Sequence, residues 1–240
     1  MSSKILIITA TSQEAEILRK TGRNTSDQNK LFSDRFEIDL LMGGVGTMST
    51  AWHMTQWISA NEKPFLAINA GIAGSYNKDL PVGSVVMPVS DCFADSGIED
   101  GDVFLTLHET GLSNPDEFPF SNGIIMADNR YTDIFKRILK PVKAITVNTA
   151  TGSDSTIARL VNKYNPEIET MEGAAFFYIC AREKIPFISL RSISNRVERR
   201  DRNKWNIPLA LDNLAIKLEE LLKILEEKDE INTGILSMPE

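Results

Sequence analysis

Three polar side chains that can take part in catalysis follow apolar or extended segments at separate points of the chain: Glu14, Glu172 and Asn195. In an open α/β sheet, ligands bind outside the carboxyl ends of the strands, so these positions are candidates for one site. A carboxylate there can activate a water molecule or accept hydrogen bonds from hydroxyl groups. A side-chain amide can donate a hydrogen bond to a ring nitrogen or a carbonyl oxygen.

Each of these residues also has a structural interpretation. Glu14 in the first turn of a helix would stabilise the helix dipole, and Glu172 would do the same at the start of a later helix. Asn195 would be an ordinary turn residue. For Glu14 taken alone, the structural interpretation is the stronger one. The string Met-Glu-Gly-Ala-Ala, from Met171 to Ala175, is more specific than any single acid.

The elements that would position these residues alternate between short apolar runs and amphipathic stretches, which is typical of an α/β fold with a central sheet. The segment 91–123 is rich in Asp, Gly and Pro and predicts a long functional loop or flap. We predict one domain over residues 1–228 and a flexible tail over residues 229–240. The predicted strands are 4–9, 37–42, 65–69, 84–89, 142–148 and 186–194, and the predicted helices are 12–20, 48–60, 128–139, 153–164, 173–183 and 207–228.

Composition limits the kinds of partner. The net charge of −7 disfavours nucleic acid and anionic membranes, because both favour a basic surface, so a small-molecule substrate is expected. The first apolar run is too short for a signal peptide, and no stretch reaches the roughly 18 apolar residues that span a bilayer. Two cysteines and two histidines give a metal site almost no ligands. We therefore predict a cytoplasmic protein without a metal or a cofactor.

Five motifs stand in the same order as in the nucleoside phosphorylase/nucleosidase superfamily, and the chain resembles that superfamily up to Leu225. Two further strings, 94–102 and 200–208, resemble the futalosine hydrolases, which act in menaquinone biosynthesis. The second string, Arg-Asp-Arg-Asn-Lys-Trp-Asn-Ile-Pro, is long and unusual, so it carries much of this resemblance. The five motifs run from Ala10 to Glu14, Gly44 to Gly46, Asn69 to Gly74, Met171 to Ala175 and Arg191 to Asn195.

The resemblance implies a fold, a reaction and an assembly. The fold would be the phosphorylase/hydrolase-like three-layer α/β sandwich, with a central twisted mixed β-sheet. The reaction would be hydrolysis of the N-glycosidic bond of futalosine, releasing hypoxanthine and dehypoxanthine futalosine without any cofactor. Members of the superfamily are homo-oligomers, commonly dimers, so we expect a homodimer or a higher homo-oligomer.

The resemblance also implies roles for single residues. In the nucleosidases a glutamate after the first strand activates the attacking water, and Glu14 falls on that position. A Met-Glu pair binds the ribose, and Met171 and Glu172 match it. The methylthioadenosine nucleosidases carry an aspartate that protonates adenine N7, where this chain has Asn195. An amide cannot act as a general acid, but it can donate to N7 or O6, so Asn195 favours a 6-oxopurine such as hypoxanthine.

The nucleophile is predicted from the residues just after the first strand. The hexameric purine and uridine phosphorylases hold phosphate there with a Gly-Asp-Pro string and a nearby arginine. This chain has Thr-Ser-Gln-Glu-Ala-Glu at residues 11–16 instead. A glutamate at that point would repel phosphate, so the sequence favours water as the nucleophile.

Backbone and charged segments complete the predicted site. The turn at 43–46 fails the dinucleotide pattern Gly-x-Gly-x-x-Gly, because Ser49 takes the third glycine position. Gly46 either lets the ribose or the water approach the backbone, or makes a structural turn. The cluster 196–204 is typical of a solvated loop, but an arginine in it, with Arg200 as the candidate, would meet the benzoate carboxylate of futalosine. The other predicted substrate-binding residues are Ile72, Ala73 and Gly74, and Thr149, Ala150 and Thr151, whose backbone would face the purine.

Three other functions stay open on the sequence. A methylthioadenosine/S-adenosylhomocysteine nucleosidase is disfavoured by Asn195 and by the string 200–208. A phosphorolytic enzyme would depend strictly on phosphate. A non-catalytic nucleoside-binding module is disfavoured by the presence of both Glu14 and Glu172. Acceptance of the aminodeoxy analogue of futalosine depends on the pocket geometry around Asn195.

Overall fold

The computed structural model describes residues 4–19, 23–24, 30–32 and 35–235, and short strands alternate with helices along these ranges. The strands are β1 (Lys4–Thr9), β2 (Arg23–Asn24), β3 (Lys30–Phe32), β4 (Glu37–Met42), β5 (Leu66–Ser75), β6 (Val85–Asp91), β7 (Gly97–Asp100), β8 (Val103–Thr106), β9 (Phe120–Ser121), β10 (Ile124–Met126), β11 (Lys140–Thr146), β12 (Ile168–Thr170) and β13 (Phe187–Arg196). The helices are α1 (Ser12–Arg19), α2 (Thr47–Ala60), α3 (Arg130–Phe135), α4 (Asp154–Tyr164), α5 (Gly173–Arg182) and α6 (Ile207–Ile235).

One mixed sheet forms the middle of the fold. Its strands follow the order β2-β3-β4-β1-β5-β12-β11-β6-β10-β9, and β13 pairs with both β5 and β6. The pairs of β1 with β4 and β5, and of β5 with β13, are parallel, whereas β12 with β5 and β13 with β6 are antiparallel. β7 and β8 form a separate hairpin. The predicted α/β fold with a central mixed sheet is confirmed.

Helices cover both faces of this sheet. Leu18 of α1, Phe135 of α3 and Leu218 of α6 are buried in one apolar cluster against β1, β4 and β5. Met54 of α2 and Phe176 of α5 belong to a second cluster on the other face. Burying one such side chain contributes about 1.5–3 kcal/mol, so the two clusters fix the helices to the sheet. The predicted three-layer arrangement follows from these contacts.

β5 is the strand on which the later site is built. It continues to Ser75, beyond the predicted strand 65–69, so the glycine motif 69–74 lies inside the strand and not after it. Its second half, Asn-Ala-Gly-Ile-Ala-Gly-Ser, is made of small side chains for most of its length. Small residues let the neighbouring strands β1, β12 and β13 bring their own side chains close to the backbone of β5.

Several element boundaries differ from the prediction. The segment 91–123, predicted as a loop, contains the β7–β8 hairpin and β9. The predicted helix 128–139 is reduced to α3. α6 runs through the start of the predicted tail 229–240 to Ile235, and the last five residues of that tail lie outside the described residues. No helix in the described ranges combines the length and the apolar character that crossing a membrane requires.

Candidate active site

A cavity of about 200 Å³ opens where β1, β5, β12 and β13 end or pass one another. It lies at the carboxyl ends of β1 and β13, where ligands bind in open α/β sheets. Among the described residues that line it, Thr11, Glu169 and Trp205 were not predicted. The predicted site residues that line it are Glu14, Ile72, Ala73, Gly74, Ala150, Thr151, Met171, Glu172, Asn195 and Arg200.

Glu14 is buried, and its two carboxylate oxygens have different partners. Oε2 accepts hydrogen bonds from the backbone N–H groups of Ala10 (3.0 Å) and Thr11 (2.9 Å) and from the Thr11 hydroxyl (2.9 Å). Thr11 Oγ1 in turn accepts from the backbone N–H of Glu14 at 3.3 Å, which makes a capping box at the start of α1. Thr11 therefore provides the capping hydroxyl. A structural role at the start of α1 therefore explains the hydrogen bonds of Oε2.

The other oxygen of Glu14 points across the site to β5. Oε1 accepts a hydrogen bond from the backbone N–H of Ile72 at 3.0 Å. A Cβ on Gly71 would lie 2.8 Å from this oxygen and in contact with Nη1 of Arg191. Because Gly71 has no side chain, Glu14 and Arg191 can approach each other beside it. A helix-capping role does not require this second oxygen, so Oε1 remains for a reacting water molecule.

Glu172 lies at the N-cap position of α5, but its side chain does not cap that helix. Oε1 accepts a hydrogen bond from the backbone N–H of Gly46 at 3.2 Å, and Oε2 lies 3.6 Å from Nη1 of Arg191. Burial raises the pKa of Glu172, and the charge of Glu14 raises it further, while Arg191 and the Gly46 N–H act in the opposite direction. The predicted role of Glu172 as a helix charge thus does not explain where its carboxylate points.

Arg191 pairs with Glu172 and lies near Glu14 beside Gly71, although the sequence analysis assigned it no role of its own. Its side chain is 1% exposed, which is exceptional for an arginine. Besides Glu172 it contacts Oδ1 of the buried Asn69. A guanidinium between Glu14 and Glu172 offsets part of the cost of burying both acids. The sequence feature that could have drawn attention to Arg191 is the presence of an arginine inside the apolar run Phe-Ile-Ser-Leu-Arg-Ser-Ile-Ser of β13.

Asn195 closes β13 at the far side of the cavity, with its amide held in one orientation. Oδ1 accepts from the Ser194 hydroxyl at 2.7 Å, and Nδ2 donates to the backbone carbonyl of Arg196 at 2.8 Å. An amide nitrogen carries two hydrogens, so the second one is left to donate into the cavity. The turn role expected from its residue type does not apply, because Asn195 is still paired with Gly74 of β5.

The remaining predicted residues fall at the rim or beside the cavity. Gly46 does not line it, but holds Glu172 through its N–H. Thr149 lies in a neighbouring cavity of about 400 Å³, which it shares with Ala150 and Thr151. The predicted contact of Thr149 with the substrate is therefore not part of the arrangement around Glu14.

The charged segment after β13 divides into two kinds of residue. Arg199 and Lys204 form exposed ion pairs with Asp154 and Glu198, at 3.3 and 2.7 Å, which is the solvated-loop behaviour. Arg199 also lines the cavity, together with Arg200, which lies 5.4 Å from the ring centroid of Trp205, in cation–π range. Arg200 is thus placed to meet an anionic group of a bound molecule.

A larger cavity, of about 830 Å³, lies between the segment 93–124 and the α4 region. It contains Asp91 and His108, but neither Glu14, Glu172 nor Asn195, which line the smaller cavity. Within the described ranges, no group of three or more His, Cys, Asp or Glu side chains has the geometry for a metal ion. The smaller cavity is therefore the candidate active site, because its acids, amide and guanidinium converge.

Comparisons with known proteins show the family to which the chain is related. The model of the phosphorylase superfamily matches residues 4–227. The chain is 31% identical to the futalosine hydrolase of Streptomyces coelicolor, covering 78% of this chain and 80% of that protein. It is 32% identical to the futalosine hydrolase of Acidothermus cellulolyticus, covering 89% and 88%. The methylthioadenosine/S-adenosylhomocysteine nucleosidase of Buchnera aphidicola subsp. Schizaphis graminum is 27% identical, covering 94% and 97%.

Among solved structures, the futalosine hydrolase of Helicobacter pylori strain 26695 superposes with a TM-score of 0.74 over 92% of this chain and 97% of that chain. The identity is 18%, so this likeness concerns the fold. The sequence match to the superfamily spans nearly all of the described residues and includes every strand and helix that contributes to the cavity. The chain belongs to the phosphorylase superfamily.

Proposed function

We propose that this protein hydrolyses the N-glycosidic bond of futalosine, releasing hypoxanthine and dehypoxanthine futalosine, in menaquinone biosynthesis. The observation that carries the proposal is the pair of buried carboxylates, Glu14 and Glu172, held around Arg191 with the amide of Asn195 across the same cavity. The two futalosine hydrolases at 31% and 32% identity support futalosine as the nucleoside.

The proposed mechanism divides the reaction among three side chains. Cleavage of the bond builds positive charge on the ribose and negative charge on the departing base. Glu14 Oε1 accepts a proton from the attacking water, because Oε2 is already occupied by the capping box. Glu172 accepts hydrogen bonds from the ribose hydroxyls, and Met171 packs against the sugar.

Asn195 acts on the leaving base. Its second amide N–H donates to O6 or N7 of hypoxanthine as negative charge develops there. The amide has no proton to release at neutral pH, so the proton that the base takes up comes from solvent. No metal or other cofactor enters these steps.

The anionic end of futalosine is assigned to Arg200. A guanidinium can bind a carboxylate through two parallel hydrogen bonds, and Arg200 lies at the cavity with Trp205 behind it. The benzoate would meet this pair. Loss of the preference for futalosine over its decarboxylated analogue in Arg200→Ala is the expected result, and Arg202→Ala, at an exposed arginine that does not line the cavity, is the matched control. An unchanged preference would assign the carboxylate elsewhere.

A second copy of the chain is the partner that we infer, in a homodimer or a higher homo-oligomer of a cytoplasmic protein. α2 begins next to the cavity and exposes Met48 (84%) and Trp52 (62%), which are one helical turn apart, beside the exposed Val45. We expect Trp52→Glu to lower the mass measured by light scattering after gel filtration. Ile216→Glu, at an exposed position of α6, is the control that should leave the mass unchanged.

The test of the function is release of free base from futalosine, methylthioadenosine and inosine in parallel, in phosphate-free buffer. We expect hypoxanthine from futalosine at a rate that added phosphate does not change. Adenine from methylthioadenosine, with futalosine left intact, would replace the proposal with the second candidate function, which the 27% identical nucleosidase favours. Tight binding of futalosine without any turnover would make the chain a binding module.

A further inference from the structure

Glu169 is a buried acid at the cavity to which neither the sequence motifs nor the proposed mechanism assigns a role. It lies on β12 and is 8% exposed. Oε2 accepts a hydrogen bond from the Tyr76 hydroxyl at 2.6 Å, and Oε1 accepts from the backbone N–H of Thr151 at 3.0 Å. Both donors are neutral. A buried carboxylate is expensive without a charged partner, so its presence at a ligand cavity calls for a further donor.

The sheet places Glu169 opposite Asn195. Gly74 of β5 is paired with Glu169 on one neighbouring strand and with Asn195 on the other. Paired residues direct their side chains to the same face of a sheet. A Cβ on Gly74 would lie 3.4 Å from Nδ2 of Asn195 and 3.5 Å from Cγ of Glu169. Cγ2 of Val197 would lie nearer still, at 2.9 Å, so the glycine makes room for three side chains, with the amide and the carboxylate on its two neighbouring strands.

Glu169 is the acceptor in its hydrogen bond with the Tyr76 hydroxyl. Burial, and then the negative charge of Glu169, raise the pKa of the Tyr76 hydroxyl above its ordinary value. The phenol stays protonated and donates to Oε2. A carboxylate has about four acceptor positions, of which two are filled by Tyr76 and Thr151. The remaining positions can accept, and cannot donate, at the cavity.

We propose that Glu169 determines specificity for the base by accepting the N1–H of a 6-oxopurine, while Asn195 donates to its O6 or N7. This rests on the proposed function, in which hypoxanthine is the leaving base. Hypoxanthine carries a donor at N1 beside an acceptor at O6, and the pair Glu169 and Asn195 presents the complementary acceptor and donor. Adenine carries an acceptor at N1, which would face the carboxylate without a proton between them.

The test uses isothermal titration calorimetry to measure how tightly free bases bind to the full chain. The probes are hypoxanthine, 1-methylhypoxanthine, which lacks the N1–H, and adenine. For wild type we expect hypoxanthine to bind about 10- to 100-fold more tightly than 1-methylhypoxanthine, as for a hydrogen bond to a charged acceptor. Equal affinities for the two bases would overturn the proposal without any variant.

Variants then assign the effect to the residue. Glu169→Gln keeps the size of the side chain and should lower the affinity for hypoxanthine relative to adenine by about 10-fold or more. Glu169→Ala should bind hypoxanthine and 1-methylhypoxanthine alike. Glu167→Gln is the matched control: Glu167 is two residues away and accepts from Asn77 Nδ2 and the Lys143 N–H, both at 3.0 Å, outside the cavity.

A merely structural role for Glu169 would weaken all three bases together, and that result would overturn the proposal. Loss of adenine binding alone in Glu169→Gln would also overturn it, because the carboxylate would then read an amino group. Futalosine hydrolysis is measured separately on wild type. Absence of hydrolysis with a Glu169-dependent preference for hypoxanthine would refute the proposed reaction and leave the assignment of Glu169 standing.

Discussion

At the scale of single residues, the two carboxylate oxygens of Glu14 have different surroundings. Oε2 completes the capping box of α1, and Oε1 faces Ile72, Gly71 and Arg191. Sequence alone suggested two competing interpretations for this glutamate, structural and catalytic. The structural role uses Oε2 and the proposed catalytic role would use Oε1, so a test of catalysis has to preserve the helix start.

Glu14→Gln tests the proposed role of Glu14 as the base that activates water. It retains the shape of the side chain but cannot take a proton from water, so we expect kcat for futalosine to fall about 100-fold or more. Glu16→Gln, at an exposed position paired with Arg19, should leave kcat unchanged. A kcat for Glu14→Gln within a few-fold of wild type, at an unchanged melting temperature, would remove Glu14 from the role of base.

Glu14, Glu172 and Asn195 were predictable as site candidates because each follows an apolar or extended segment, a position that local sequence reveals. Arg191 and Glu169 were not, for a physical reason. Their importance depends on the register of β13 and β12 against β5, which brings Arg191 opposite Gly71 and Glu169 opposite Gly74. Register is a long-range property, and no pattern within six or eight residues encodes it.

At the scale of elements, the sequence predicted the start of a helix, which depends on local residues. It did not predict where β5 ends, which depends on pairing with other strands. The predicted helix 153–164 agrees with α4 to within one residue, and its start is decided locally, because the Ser153 hydroxyl accepts from the backbone N–H of Thr156 at 3.3 Å. The end of β5 was placed too early, because the Gly-Ile-Ala-Gly stretch is typical of a turn. Pairing with β12 and β13 keeps it extended. Favourable sheet contacts thus outweighed the weak strand propensity of glycine.

The cap of α4 gives a prediction at this scale. Ser153→Ala removes the acceptor for the Thr156 N–H, and we expect it to lower the free energy of unfolding in urea by about 1 kcal/mol. Ser153→Asp retains an acceptor oxygen and should come close to wild type. Equal destabilisation by both substitutions would mean that the hydroxyl does not act as a cap.

At the scale of the whole molecule, stability should depend on pH through Asp91. Burial raises the pKa of Asp91 from 3.8 to about 7, and the Thr146 hydroxyl and Arg191 offset part of that effect. Oδ2 has no hydrogen-bond partner among the described residues. The folded protein therefore holds a proton that the unfolded chain has already released. This contribution to stability is complete below about pH 4 and is lost as the pH rises through 7.

Asp91→Asn isolates this effect from the other acids. The amide keeps the oxygen that accepts from Thr146 Oγ1 at 2.9 Å and from the Cys92 N–H at 2.8 Å, and it does not titrate. Relative to wild type, the variant should gain about 2–3 kcal/mol in free energy of unfolding between pH 5 and pH 8. A difference that stays constant over this range would show that Asp91 does not carry the proton.

The position of Gly74, between Glu169 and Asn195 on the two neighbouring strands, has a consequence for how such a pocket can diverge. The residues proposed to cleave the bond follow β1 and lie on β13 and at the start of α5, whereas the base is proposed to be recognised from β12 and the last residues of β13. β5 contributes space and backbone between them. During evolution, the two side chains that flank Gly74 can therefore change, and with them the purine that the pocket binds. The residues around Arg191 can stay the same.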